Sequence, residues 1–245
     1  MARYRAFVDH RYRVWWNHIS QVQETLHLLE RASRFTAYDY YVLLSGQDYP
    51  IQKMEWIRER LAEAAVEQRS FMDWHPIPNP NWTHGGVERF TRRHYKWRTR
   101  TWRIPGYPSP LPARLAQWMM RPLKGPGGLA LYGGWQWWAL HGSSVTQLLS
   151  RPAQLRRLLR YFSTVNHPAE SFFQTALMNQ QLPGPVSCFN ISRFHFSKDR
   201  SGVTVLLRER HWDDLIESGA WFARKFDESP DSQQLRQRID RELLS

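Results

Sequence analysis

Three short segments hold the residue types that could do chemistry. The first is His167–Asn179, HPAESFFQTALMN, in which Glu170 follows Pro168-Ala169 and opens a helical pattern carrying Phe172, Phe173, Ala176 and Leu177. A carboxylate in a first helical turn commonly partners the helix dipole. The same group can serve as the base that deprotonates an attacking hydroxyl, and the pattern alone leaves both roles open. The second segment is Ser45-Gly46-Gln47-Asp48-Tyr49-Pro50, a polar turn ending the apolar run Tyr40–Leu44. Ligands of open α/β sheets sit outside the carboxyl ends of the strands. Ser45 and Asp48 therefore stand where a ligand is expected, unless Asp48 only caps the next helix. The third segment places Arg224-Lys225 directly after Trp221-Phe222-Ala223. Such a pair is either a solvated helix end or a fixed anion site.

What is missing narrows the chemistry. The chain has no Asp-x-Asp, no His-Glu-x-x-His and no paired cysteine ligands, so no metal site or cofactor is expected. Fixed cations can hold an anionic group instead, Arg by bidentate contact and Lys as a point charge.

These groups need a scaffold, and the chain is long enough to supply one. With 245 residues and 42% hydrophobic content, it reads as one domain over residues 1–245, the stretch from residue 228 to 245 being a polar helix or tail. No apolar run reaches the roughly eighteen residues of a membrane span, and the basic start lacks a signal-peptide core. The single cysteine, Cys188, excludes an internal disulfide framework and suits a reducing cytoplasm. A net charge of +12 fits an anionic sugar nucleotide, an anionic membrane surface or nucleic acid. Nucleic acid is the weakest of these, because no nucleic-acid motif accompanies the charge. Thirteen Trp offer flat faces for sugar rings, although many must be core.

Periodicity predicts an amphipathic helix over His18–Arg34, a strand at Tyr40–Leu44 buried on both faces, a helix at Met54–Glu67 and a strand at Ser70–His75. This βα alternation implies a largely parallel sheet. Further along, a helix is expected at Ala113–Met120, a strand at Gly134–His141 and a helix over Ser144–Phe162 interrupted by Pro152. A helix at Ala169–Gln180, strands at Val186–Phe196 and Val203–Leu207, and a helix at His211–Ser218 complete the reading. In Gly133-Gly134-Trp135-Gln136-Trp137-Trp138 the glycines allow close backbone approach. Trp137 and Trp138 point to opposite faces, so at least one belongs to the core.

Four segments also resemble one family, in the same order: LLSGQDYPI at 43–51, GGWQWWAL at Gly133–Leu140, HPAESFFQTALMN and SGAWFARKFD at Ser218–Asp227. They are similar to the core-2/I-branching β-1,6-N-acetylglucosaminyltransferases and the related peptide O-xylosyltransferases, bacterial-type members above all, over about residues 14–227. The resemblance implies an α/β fold of the GT-A glycosyltransferase type, a mixed central sheet flanked by helices. It also implies inverting, metal-independent transfer of GlcNAc or xylose from a UDP-sugar to a hydroxyl of a glycan or glycolipid acceptor. Family members open with a strand-helix-strand unit; this chain enters near the third strand, at Arg13–Trp16, and is expected to be N-terminally truncated.

Residue by residue, Glu170 matches the family's catalytic glutamate. Lys225 matches the lysine that holds the diphosphate, together with an arginine to be chosen among Arg193, Arg208 and Arg210. Ser45, Asp48 and Arg224 complete the expected donor side. Glu88, Lys96, Gly134, Gln136 and Trp137 are the expected acceptor side. Gln136 stands where the xylosyltransferases carry an aspartate, which favours the branching reading. Peptide O-xylosylation and a non-catalytic basic binding module remain the alternatives. The expected location is cytoplasmic, with peripheral contact to the inner face of a membrane as an option.

Overall fold

The computed structural model describes residues 12–97, 100–103, 124–194 and 204–245. The first helix, α1 (Ser20–Phe35), turns Val22, Leu26 and Leu29 inward at the expected spacing. Next come β1 (Tyr40–Val42), β2 (Tyr49–Pro50), α2 (Met54–Ala65), β3 (Ser70–Met72) and β4 (His75–Pro76). Helix α3 (Glu88–Thr91) leads into a hairpin, β5 (His94–Trp97) and β6 (Arg100–Arg103). After residue 124 the chain forms β7 (Tyr132–Gly133), β8 (Trp138–His141), α4 (Gly142–Leu149) and α5 (Pro152–Phe162). Pro152 divides the last two as expected, standing at the first turn of α5, where its missing N–H costs nothing. Helix α6 (Phe172–Met178), β9 (Val186–Cys188), β10 (Ser192–Arg193), α7 (Trp212–Glu217), β11 (Phe222–Ala223) and α8 (Pro230–Ile239) follow.

The central sheet has the order β1-β8-β3-β9, and only its β3–β9 pair is parallel. A second sheet, β10-β11-β2, runs beside it. The largely parallel arrangement expected from βα alternation is therefore corrected to a mixed one. Strand β1 is also not buried on both faces. Among the described residues it sits at the edge of its sheet, with Val42 38% exposed and Leu44, just beyond it, 39%. An unbroken apolar run reports side-chain character, not a place in the strand order.

Strand β8 divides the core. Trp138 and Leu140 join the larger cluster built on α1, α4, α5 and α6, whereas Trp137 and Ala139 join a cluster with Ile57, Ile191, Trp221 and Phe222. Both tryptophans are buried, one on each face. A third cluster, with Ile51, Leu207, Leu215, Leu235 and Ile239, holds the C-terminal helix against the second sheet.

Several expected elements are shorter. Arg13–Trp16 is not a strand, Gly134–Trp137 is a loop before β8, and Val186–Phe196 divides into β9 and β10 over its described part. Over residues 204–207 only Thr204 makes a bridge. Helix Ala169–Gln180 becomes a 3-10 turn, Pro168–Glu170, followed by α6. The helix expected at Ala113–Met120 lies outside the described residues. No helix among the described residues is long and apolar enough to cross a membrane.

Gly134 is the tightest point of the scaffold. A Cβ there would lie 2.0 Å from the backbone oxygen of Asp73, whereas a Cβ on Gly46 would meet nothing within 4 Å. Gly134→Ala should lower stability by about 2 kcal/mol or more, the scale of forced overpacking. Gly46→Ala should stay within about 0.5 kcal/mol of wild type. Chemical denaturation of both variants reads the difference, and equal stabilities would refute the close approach.

Candidate functional site

Asp48 is built into the protein, not offered to solvent. Its side chain is 1% exposed. One carboxylate oxygen accepts from the Ser45 backbone N–H at 2.7 Å and from the Ser45 hydroxyl at 2.5 Å; the other accepts from the Ser192 hydroxyl at 2.6 Å. Helix α2 begins six residues later, at Met54, with Lys53 as its N-cap, so Asp48 caps no helix. It closes the Ser45–Asp48 turn and ties that turn to β10.

Arg224 lies over the same group. Its Nε is 3.7 Å from Asp48 Oδ2, and its guanidinium stacks 4.0 Å above the Trp137 ring. Burial pulls the Arg224 pKa below its ordinary value, and the charge of Asp48 opposes that pull. Lys225, the next residue, makes no hydrogen bond or ion pair with any described side chain. Burial, then the neighbouring Arg224 charge, lowers its pKa. An ammonium in that position gains from any anion that reaches it. The apolar pair Trp221-Phe222 anchors this segment, both residues being under 10% exposed.

The arginine partners expected for Lys225 are mostly committed elsewhere. Arg193 forms a two-pronged bridge to Asp214, at 2.7 and 2.5 Å, which raises its pKa. Arg208 bonds Asp227 at 3.1 Å. Arg210 is exposed on the 3-10 turn Glu209–His211. Arg193 and Arg208 thus have carboxylate partners within the chain, and the cation beside Lys225 is Arg224.

Glu170 sits in the 3-10 turn before α6 and lines a cleft of about 640 Å³ with Asn81, Trp82, Arg89, Trp135 and His167. Arg89 donates to Glu170 Oε2 at 2.6 Å. Oε1 lies 3.9 Å from His167 Nδ1, too far for a hydrogen bond, and is free to accept one. Phe172 and Phe173 give this carboxylate no apolar cover, because both rings are buried in the core at 0% and 2% exposure. Arg89 in turn stacks 4.4 Å over Trp82. The Trp82 ring is itself wedged: a Cβ on either Gly86 or Gly133 would come within 2.6 Å of it.

The loop from Gly133 to Trp137 joins the two halves of the site. The Gly134 N–H donates to the Glu170 carbonyl at 2.9 Å, Trp135 lines the cleft, and Trp137 lies beneath Arg224. Gln136 borders a smaller hollow of about 280 Å³, shared with Ser45, Trp137 and Ala169. The acceptor-side residues are therefore spread out. Gly134 is a hinge of the wall, Gln136 faces the smaller hollow, and Trp137 is a buried platform. Glu88 is half exposed at the cleft rim, 3.5 Å from Arg92 and His84. Lys96 lies on β5, with its side chain outside the described set.

The sequence placed the arginines around Glu88 and Lys96 near the acceptor but did not single out Arg89, Trp82, His167 or Trp135 as site residues. Arg89 was one cation in a run of many, and its partner lies 81 positions away. The only local signal was His167, next to the proline that starts the 3-10 turn.

Residues 2–203 match the model of the Branch family, described as Core-2/I-Branching enzyme. No curated protein matches the chain.

The Asp48 contacts give a sharp contrast between neighbouring charges. Asp48→Asn sets an amide against hydroxyl and backbone donors and strands Arg224, so it should destabilise the fold by about 3 kcal/mol, as breaking a buried ion pair does. Lys225→Ala should change stability by less than about 1 kcal/mol. Urea unfolding measures both; a mild Asp48→Asn would overturn the anchoring role.

Proposed function

This chain belongs to the core-2/I-branching enzyme family and is a glycosyltransferase using a nucleotide-sugar donor and a glycan acceptor, and we propose that it works by inverting, metal-independent transfer from a UDP-sugar. The mixed sheet flanked by helices is the GT-A-type arrangement of that family. The observation that carries the proposal is the pairing of two unlike half-sites through one loop: among the described residues, a carboxylate with one oxygen unbonded on one side and a lysine without a carboxylate partner on the other.

In this reading Arg89 holds Oε2 and so aims Oε1 of Glu170 at the acceptor hydroxyl. Glu170 takes the hydroxyl proton as the acceptor oxygen attacks the anomeric carbon, and the bond to the donor diphosphate breaks on the opposite face. That geometry requires one base and inverts the configuration. Lys225 receives the negative charge of the departing diphosphate, and Arg224 keeps the lysine-bearing segment in place through Asp48 and Trp137. Trp82 and Trp135 give the acceptor ring its stacking walls. The donor sugar is GlcNAc or xylose, with Gln136 favouring GlcNAc. Acceptors carried on glycolipids would suit a basic protein working beside an anionic membrane.

Two variants test the roles separately. Glu170→Gln should retain UDP affinity but lose about a hundred- to ten-thousandfold in turnover, the usual range for a missing general base. Near-normal transfer would remove Glu170 from the mechanism.

Lys225→Ala should weaken UDP binding about ten- to a hundredfold in titration calorimetry, since charge-assisted contacts contribute about 1.5–3 kcal/mol each. The difference should persist in excess chelator and shrink with added salt. Unchanged affinity would return Lys225 to the status of a surface cation.

A further inference from the structure

Away from the two half-sites, Asp73, His75 and Cys188 bring an oxygen, a nitrogen and a sulfur ligand together. Topology places them. Asp73 and His75 are alternate residues between β3 and the start of β4, and Cys188 ends β9, the parallel neighbour of β3, opposite Met72. All three potential ligand atoms lie within 4.8 Å of one another. His75 Nε2 is 3.1 Å and Cys188 Sγ 3.8 Å from the same oxygen, Asp73 Oδ1. The other oxygen, Oδ2, is already held by the Trp135 N–H at 2.8 Å. The carboxylate is thus braced from behind, with Oδ1 turned toward a histidine and a thiol. Bracing of this kind is what orients a metal-binding carboxylate.

We propose that Asp73, His75 and Cys188 form a site for a zinc-like divalent ion, and that the ion fixes the wall of the Glu170 cleft. Bonds of about 2.0–2.3 Å in a tetrahedral site put ligand atoms about 3.3–3.7 Å apart. The cluster reaches that spacing with side-chain movements on the order of 1 Å. The set is too soft and too poor in oxygen for magnesium or calcium, whereas mixed N, O and S ligands suit zinc. On binding, the Cys188 thiol releases its proton to solvent and coordinates as thiolate. His75 is 38% exposed and Cys188 is on the surface, so the fourth position is open to water. The ion would act on the cleft through Asp73, whose carboxylate holds Trp135 and whose carbonyl packs against Gly134. Its ligands come from the β3–β4 segment and β9, none from the Lys225 segment, so the proposal stands whether or not the diphosphate is handled without metal.

The test uses the untagged full chain, with Zn²⁺ and Co²⁺ as probes. Equilibrium dialysis in a zinc buffer should show one ion bound. The Co²⁺ form should show a thiolate charge-transfer band. Cys188→Ser should abolish that band, and either Cys188→Ser or His75→Ala should weaken Zn²⁺ binding about tenfold or more. Because Cys188 is the single cysteine, wild-type protein supplies a second readout without any variant: stoichiometric Zn²⁺ should slow its alkylation. The proposal is overturned by no bound ion, by alkylation indifferent to zinc, or by binding that survives both substitutions. None of these readouts depends on transfer activity.

Discussion

The buried carboxylate of Asp48 is the constraint on which the donor side of this protein rests. Taking a carboxylate out of water is costly unless every lone pair finds a donor. Here Ser45 supplies two donors and Ser192 a third, with the Arg224 guanidinium alongside. The four groups come from the loop after β1, from β10 and from the end of β11, so satisfying one charge fixes three chain segments. The arrangement also sorts two adjacent cations into different jobs. Arg224 is absorbed by Asp48 and the Trp137 face, and Lys225 is left with a positive charge that nothing among the described residues answers.

The acceptor side follows the same logic with a different cast. Arg89 holds one oxygen of Glu170 and lies on Trp82, so carboxylate, cation and indole form one connected unit. The Gly133–Trp137 loop then couples this unit to the donor side. Its backbone is hydrogen-bonded to Glu170 at one end, and its last ring supports Arg224 at the other. A displacement of either half-site would be felt through these few residues. That is why the glycine that touches Asp73 matters to a reaction it does not join.

Much of this was legible in the sequence where the signal was local. The spacing of Val22, Leu26 and Leu29 marked out α1, Pro152 divided α4 from α5, and Trp137 and Trp138 were correctly set on opposite faces. Non-local facts were out of reach. The apolar run Tyr40–Leu44 says nothing about strand order, so the edge position of β1 was missed. The bridge from Arg193 to Asp214, and that from Arg89 to Glu170, depend on residues 21 and 81 positions away. Many other arginines of the chain would have fitted a composition argument equally well.

The wedged indole of Trp82 has a thermodynamic consequence for recognition. With glycines 86 and 133 close against it and a guanidinium on its face, the ring has little room to change rotamer before any ligand arrives. A sugar that stacks there meets a surface already ordered, and the entropy of fixing an aromatic wall has been spent in folding. Under the proposed acceptor role of Trp82, discrimination between acceptors would fall to shape: a ring that does not match the plane cannot make the plane follow it.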